Sequence, residues 1–337
     1  MLQTIYCHHN RPESGRGAFR RAAFDKRRSG GVAIFLFLVI AVFLPNCGAG
    51  EYKRTIRHGA KTIVIPQDAA ETKRLFGDKY QYLNRNHLVF ISDLDQQTLV
   101  QLVLQDFQTY LVMLTRELFT KALSSHRADS GEIPIVFLFK DRESYVKGMR
   151  DMGIDAALGT TDDFRNGYHL SAPGLSFILI NYHDNYTFGL SVYAHELTHA
   201  LVRMEYPTAP IWLNEGLATL FENCANEGGR LQYRFNDSLI RLKRGVRSGD
   251  ILPLARLFAS TNKDFADNSE HVAYYDAAEL LCRYLQTKNI LIPVYLEMRE
   301  GRGKGVNGSE TVARLTGRTL EGLEKDWHEW IMSQGGR

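Results

Sequence analysis

The chain has 337 residues, 44% of them hydrophobic and 23% charged, a globular balance that excludes a wholly disordered, collagen-like or multi-span membrane protein and leaves length for a sizeable core. Its formal net charge is +3, yet seven basic residues (Arg11, Arg16, Arg20, Arg21, Lys26, Arg27 and Arg28) crowd the first 31 positions against Glu13 and Asp25 alone. From Glu51 onward 34 basic residues face 36 acidic ones, a net −2, so no nucleic-acid-binding surface is expected.

In chain order, the first element is a leader. Residues 32–44 are thirteen consecutive apolar residues behind Lys26-Arg27-Arg28, followed by the small run Cys47-Gly48-Ala49-Gly50. Thirteen helical residues rise about 20 Å, short of the ~30 Å hydrocarbon core. A cleaved signal peptide over residues 1–50 is therefore expected in preference to a retained anchor, and with it an exported protein, periplasmic or extracellular. Cleavage after Ala49 is favoured. Cys47 resembles the lipid-modified cysteine of a bacterial lipoprotein signal, with Asn46 as the departure from that pattern. Membrane contact is assigned to this segment alone. Beyond it only Cys224 and Cys282 remain, too few for a disulfide scaffold, and two buried free thiols are expected over one bridge.

Residues 51–85 form a leading segment in which 61–66 (Lys-Thr-Ile-Val-Ile-Pro) reads as an edge strand, the rest being either strand or linker. Residues 86–337 read as one unit in two halves. In the α/β half, 86–188, strands are predicted over 87–92, 133–139 and 175–181, each short, apolar and β-branched. Asp93 or Asp95 caps a helix of five or more turns through Leu99, Leu102, Leu104, Phe107, Leu111, Leu114 and Phe119, and Asp141 starts another. In the helical half, 189–337, helices are predicted over 190–204, 213–223, 238–244, 272–286, 292–298 and 319–331, with loops at 228–229 and 301–308. Arg241, Lys243, Arg244 and Arg247 read as a solvated basic face. The fold class is α+β, a small mixed sheet with helices followed by a mainly helical half.

The chemistry concentrates in Ser191-Val192-Tyr193-Ala194-His195-Glu196-Leu197-Thr198-His199-Ala200-Leu201. Four residues along a helix return within about 40° of the starting direction, so His195 and His199 project from one face toward a single ion. Zinc suits two neutral imidazoles. Glu196 lies about 100° round, placed to act as general base toward water on the metal. Glu196 is also the one charge between Ser191 and Val202. A helix apolar all round is buried, and a buried carboxylate beside two histidines needs a compensating cation or hydrogen bond.

A catalytic zinc needs a third protein ligand and an open position. The continuation H-x-x-G-x-x-H fails, because Val202 and Glu205 stand where Gly and His would be needed. Glu215, in Ile211-Trp212-Leu213-Asn214-Glu215-Gly216-Leu217-Ala218, lies sixteen residues past His199. That distance lets the first helix end near Glu205-Tyr206-Pro207 and a second pack beside it, with Gly216 and Ala218 small enough for close contact.

With these two motifs the sequence resembles the gluzincins, thermolysin-type zinc metallopeptidases, and especially their compact exported bacterial, peptidase-MA-like domains. The resemblance spans about residues 86–330 and includes the late segment 316–330 (Thr-Gly-Arg-Thr-Leu-Glu-Gly-Leu-Glu-Lys-Asp-Trp-His-Glu-Trp). It implies a zincin-like fold with an active-site cleft between the halves. It further implies one zinc ion on His195, His199 and Glu215, with Glu196 as base and water in the fourth position. A cleft strand that holds extended polypeptide by backbone pairing is implied as well, and residues 175–181 match its place in the chain order. The aminopeptidases of the group share Trp-Leu-Asn-Glu-Gly but also carry a Gly-x-Met-Glu-Asn strand. None is present here, which tilts the expectation to an endopeptidase.

Similar proteins place a tyrosine early in the helix predicted over 272–286 to stabilise the oxyanion. Tyr275 is the first choice, then Tyr274 and His271, and a packing role beside Leu280, Leu281 and Leu285 fits Tyr275 equally. Two other functions share the same residues: a zinc-stabilised binding module of the cell envelope that does not cut, and a hydrolase of non-peptide amides.

Overall fold

The computed structural model describes residues 3–4, 55–58, 61–64, 66–85, 88–118, 133–152, 167–172, 175–182, 186–228, 230–266, 269–301 and 308–335. The leader expected over 1–50, Cys47 included, lies outside these apart from Gln3–Thr4. Three strands predicted from apolar runs form the centre of the sheet: Leu88–Ser92 (β5), Ile133–Phe139 (β6) and Leu175–Asn181 (β8). They pair in parallel, Val89 opposite Ile135 and Ile135 opposite Phe177. Near-continuous hydrophobic runs suit strands covered on both faces. Phe90, Val136, Leu138, Ile178 and Ile180 point into one core, and Ile91, Ile135, Phe137, Phe177 and Leu179 into a second on the opposite face.

Two antiparallel strands flank this centre. Gln81–Arg85 (β4) pairs with β5, and Gly167–Ala172 (β7), which periodicity did not reveal, pairs with β8. Gln3–Thr4 (β1) adds two residues to β7, so the sheet runs β1-β7-β8-β6-β5-β4. The strand at Lys61–Val64 (β3) exists, but its partner is Thr55–His58 (β2) in a separate two-stranded sheet, and it does not edge the main one. Residues 175–181 are hydrogen-bonded to β6 on one side and β7 on the other, so their backbone has no edge to offer a peptide. Next on that side is β7, which β1 meets only at Leu170 and Ser171.

Ala69–Phe76 (α1) and Arg142–Asp151 (α4) cover the second core. The first core lies under Gln96–Leu102 (α2), a π-turn at Val103–Phe107, Gln108–Glu117 (α3) and Tyr186–Glu205 (α5). Asp95 caps α2 by accepting from the Thr98 amide at 3.0 Å, whereas Asp93 accepts from the Lys140 amide at 2.8 Å. The π-turn inserts an extra residue, and Leu99, Val103, Phe107, Leu111 and Leu114 keep one buried face across it. Leu104, expected on that face, is 42% exposed. It follows Leu102 by two residues, which turns it about 200° round the axis.

The helical half runs Ile211–Glu222 (α6), a hairpin of Cys224–Glu227 (β9) and Arg230–Tyr233 (β10), Asp237–Ser248 (α7), Leu254–Phe258 (α8), His271–Thr287 (α9), Leu291–Glu300 (α10), Gly308–Thr316 (α11) and Leu320–Ser333 (α12). The basic cluster on α7 is only partly solvated, because Arg241 grips the buried Asp276 of α9 through two hydrogen bonds of 2.6 and 2.7 Å. Cys224 and Cys282 are buried free thiols. Among the described residues no helix is long and apolar enough to cross a membrane.

At the end of α5, Glu205 accepts from Arg299 of α10 at 2.8 Å, and both side chains are buried. Removing one member of such a pair strands the other charge in a low-dielectric site. Arg299→Ala is expected to lower unfolding stability by about 3–5 kcal/mol, measured by urea denaturation. A loss below about 1 kcal/mol would show that Glu205 finds compensation elsewhere.

Candidate metal centre

Helix α5 crosses beneath β7 and β8 with every residue from Val192 to Val202 buried, in keeping with a stretch whose one charged residue is Glu196. Tyr193 anchors it to the π-turn, with its ring 4.0 Å from that of Phe107 and stacked on it. After a short turn at Tyr206–Pro210, α6 returns alongside α5. Gly216 lets α9 approach from the other side: a Cβ there would stand 2.7 Å from the carbonyl oxygen of Ala278 and 2.7 Å from Cys282 Sγ.

Within this packing His195, His199 and Glu215 converge, all essentially inaccessible to solvent. The two Nε2 atoms are 3.1 Å apart, and Glu215 Oε2 lies 3.8 Å from that of His195 and 3.5 Å from that of His199. A triangle with these sides has a circumradius of about 2.0 Å, so a single point reaches all three atoms at the bond length of a small divalent cation. The tautomer supports the same conclusion. His195 Nδ1 lies 3.0 Å from Glu222 Oε2, and a carboxylate accepts only from Nδ1–H, which leaves Nε2 a lone pair. That lone pair faces another imidazole nitrogen and a carboxylate oxygen. Acceptors so placed in a buried interior require a proton or a cation among them. His195, His199 and Glu215 are thus placed to bind a metal ion.

Burial pushes the His199 imidazolium well below its usual range, His195 and His169 add to this, and Asn214 and Glu222 oppose it. A neutral ring is the form that ligates. Glu196, also buried, sits where β7 passes close to the helix at Gly167. A Cβ on Gly167 would be 2.9 Å from Glu196 Oε1 and 2.4 Å from Val192 Cγ1, so only glycine lets the strand backbone lie against that carboxylate.

Tyr275 lies on α9 one turn before Ala278, the residue that meets Gly216. Its ring is buried edge-on to Phe265 at 5.1 Å, the packing role that the sequence allowed equally. The Tyr274 hydroxyl is engaged by Arg256 at 3.1 Å. His271 opens the helix.

Two site residues escaped sequence reasoning. Glu222 follows Glu215 by seven residues, two helical turns on one face, and that spacing was the available signal. His169 sits in β7, its ring 6.2 Å from that of His199 and inclined by 19°, its Nε2 2.8 Å from Ser176 Oγ. The polar, short segment that carries it gave no strand pattern strong enough to find it.

Burial lowers His169 from 6.5 to about 3. Between those values the unfolded chain takes up a proton that the folded chain refuses, so stability is complete above pH 6.5 and falls as pH drops toward 3. In metal-free protein, His169→Gln is expected to shrink the loss of unfolding free energy between pH 7 and pH 5 by about 2 kcal/mol. An unchanged pH dependence would refute this. The chain matches no known protein-family model and no curated protein.

Proposed function

We propose that this chain is a zinc-dependent hydrolase of peptide bonds, of the gluzincin type that its paired motifs resemble. The reading rests above all on the convergence of His195, His199 and Glu215 within bonding reach of one point, with Glu196 the next residue along. Two imidazole nitrogens and one carboxylate oxygen, three protein donors with a further position open, form the donor set of a catalytic zinc. Bound there, the metal supplies Lewis acidity that acidifies water and polarises a carbonyl.

The protein's own groups do the rest. The Glu196 carboxylate takes a proton from the attacking water and delivers it to the nitrogen of the leaving amine. Glu222 keeps His195 in the tautomer that ligates. The outer edge of β7, which among the described residues pairs only with Gln3–Thr4 at Ser171 and Leu170, lies against Glu196 through Gly167. An extended polypeptide adding to that edge would bring its backbone to the base, with affinity from main-chain hydrogen bonds and little sequence preference. Tyr275 is the proposed donor to the oxyanion. The basic and apolar run of residues 26–44 supports an exported setting.

Purified protein is expected to bind about one zinc and to hydrolyse unfolded polypeptide. Glu196→Gln should keep the metal and lose about 10²–10⁴-fold in kcat, whereas His199→Ala should lose metal and hydrolysis together. Wild-type turnover in Glu196→Gln, or no metal uptake by the wild type, sinks the proposal. Gly167→Ala displaces the base without touching a ligand, so zinc content should stay at the wild-type level while kcat falls. Metal loss in that variant would place the glycine's role elsewhere.

A further inference from the structure

Behind the metal centre lies a buried carboxylate for which the hydrolytic reading has no use. Glu279 of α9 is 1% exposed, and one of its oxygens, Oε1, accepts three hydrogen bonds: from the Tyr233 hydroxyl at 2.7 Å, Asn223 Nδ2 at 2.9 Å and Asn236 Nδ2 at 3.3 Å. The donors belong to three separate segments. Asn223 closes the C-terminus of α6, Tyr233 ends β10, and Asn236 caps α7 by accepting from the Ser238 amide at 2.8 Å. One atom of α9 therefore joins the ends of two helices and a hairpin.

Such a site is costly. Burial, with Asp276 and Glu222 nearby, pushes the Glu279 carboxyl up to about 7, against the hydrogen bonds from Tyr233 and Ser238. Arg241 neutralises Asp276 through its two hydrogen bonds. An uncharged side chain filling the same space would avoid the penalty, so the geometry of the three donors is what the carboxylate secures.

The segment with most at stake is the last turn of α6. Asn223 Nδ2 donates both to Glu279 and, at 2.9 Å, to the carbonyl of Thr219, spanning the turn that carries Glu222. Glu222 in turn holds His195 Nδ1 at 3.0 Å. A sub-ångström shift of this turn would misalign the carboxylate that orients a ligand ring, and partners of that kind tune metal affinity strongly.

We propose that Glu279 is a positioning residue of the metal centre: by anchoring the last turn of α6 through Asn223, it holds Glu222 against His195 Nδ1 and so sets the affinity for the metal. This rests on the ligand set assigned above and is independent of what the site hydrolyses.

The test is zinc titration of the full chain against a competing chelator, paired with the visible spectrum of the cobalt-substituted protein. Glu279→Leu is expected to weaken zinc binding about tenfold and to alter the cobalt bands. Glu279→Gln should restore most of the affinity, because its Oε1 still accepts from the same donors. Asn223→Ala should weaken binding in the same direction, and it decides the matter alone if Glu279→Leu does not fold. In an Glu222→Ala background Glu279→Leu should cause no further loss, since its effect passes through that carboxylate. The proposal is overturned if Asn223→Ala binds zinc like the wild type, or if the Glu279→Leu loss persists undiminished without Glu222. Wild-type protein that takes up no zinc would overturn the ligand assignment and this role together, whereas normal wild-type binding with unaffected variants overturns this role alone.

Discussion

Two imidazoles and a carboxylate facing one another across less than 4 Å in a buried interior are the constraint around which the rest of this molecule is arranged. Acceptor atoms repel at such separations, and burial weakens the screening that bulk solvent would provide. The arrangement becomes favourable with a cation at its centre, and it demands that each ligand be held by rigid neighbours. The fold meets that demand with apolar helices.

Close backbone approach is the second theme. Gly216 permits α9 to press on α6 beside Glu215, and Gly167 permits β7 to press on α5 beside Glu196. In both places a single methyl group would collide with backbone or buried side chain, so the contacts fix the relative height of the helices and the strand to within a fraction of an ångström. The sheet supplies a rigid floor for this arrangement because both of its faces are covered.

Electrostatic order extends outward in layers. Glu222 selects the His195 tautomer, the end of α6 positions Glu222, and Glu279 gathers that end together with the hairpin and α7. Arg241 offsets Asp276 at the rim of the same region. Acidic groups are thus distributed so that each has a hydrogen-bond donor or a cation at hand, as burial requires.

Local patterns were enough for much of this. The three central strands, a cap at Asp93 or Asp95, the cap at Asp141, the apolar helical stretch with His195, Glu196 and His199, and the neighbouring helix with Glu215 were legible because apolar runs, cap residues and four-residue spacing act within a few turns of chain. Glu215 could be named as a partner from loop length, which bounds where the next helix can lie. Pairing order could not be read in the same way. Strand neighbours are chosen over long sequence separations, so only the assembled sheet showed that 175–181 is interior and that Gly167–Ala172 lies outside it, beneath the two residues of β1. Glu222, His169 and Glu279 became meaningful for the same reason, since a carboxylate or imidazole acquires its role from side chains that arrive from distant segments, and one-dimensional spacing carries no record of who they are.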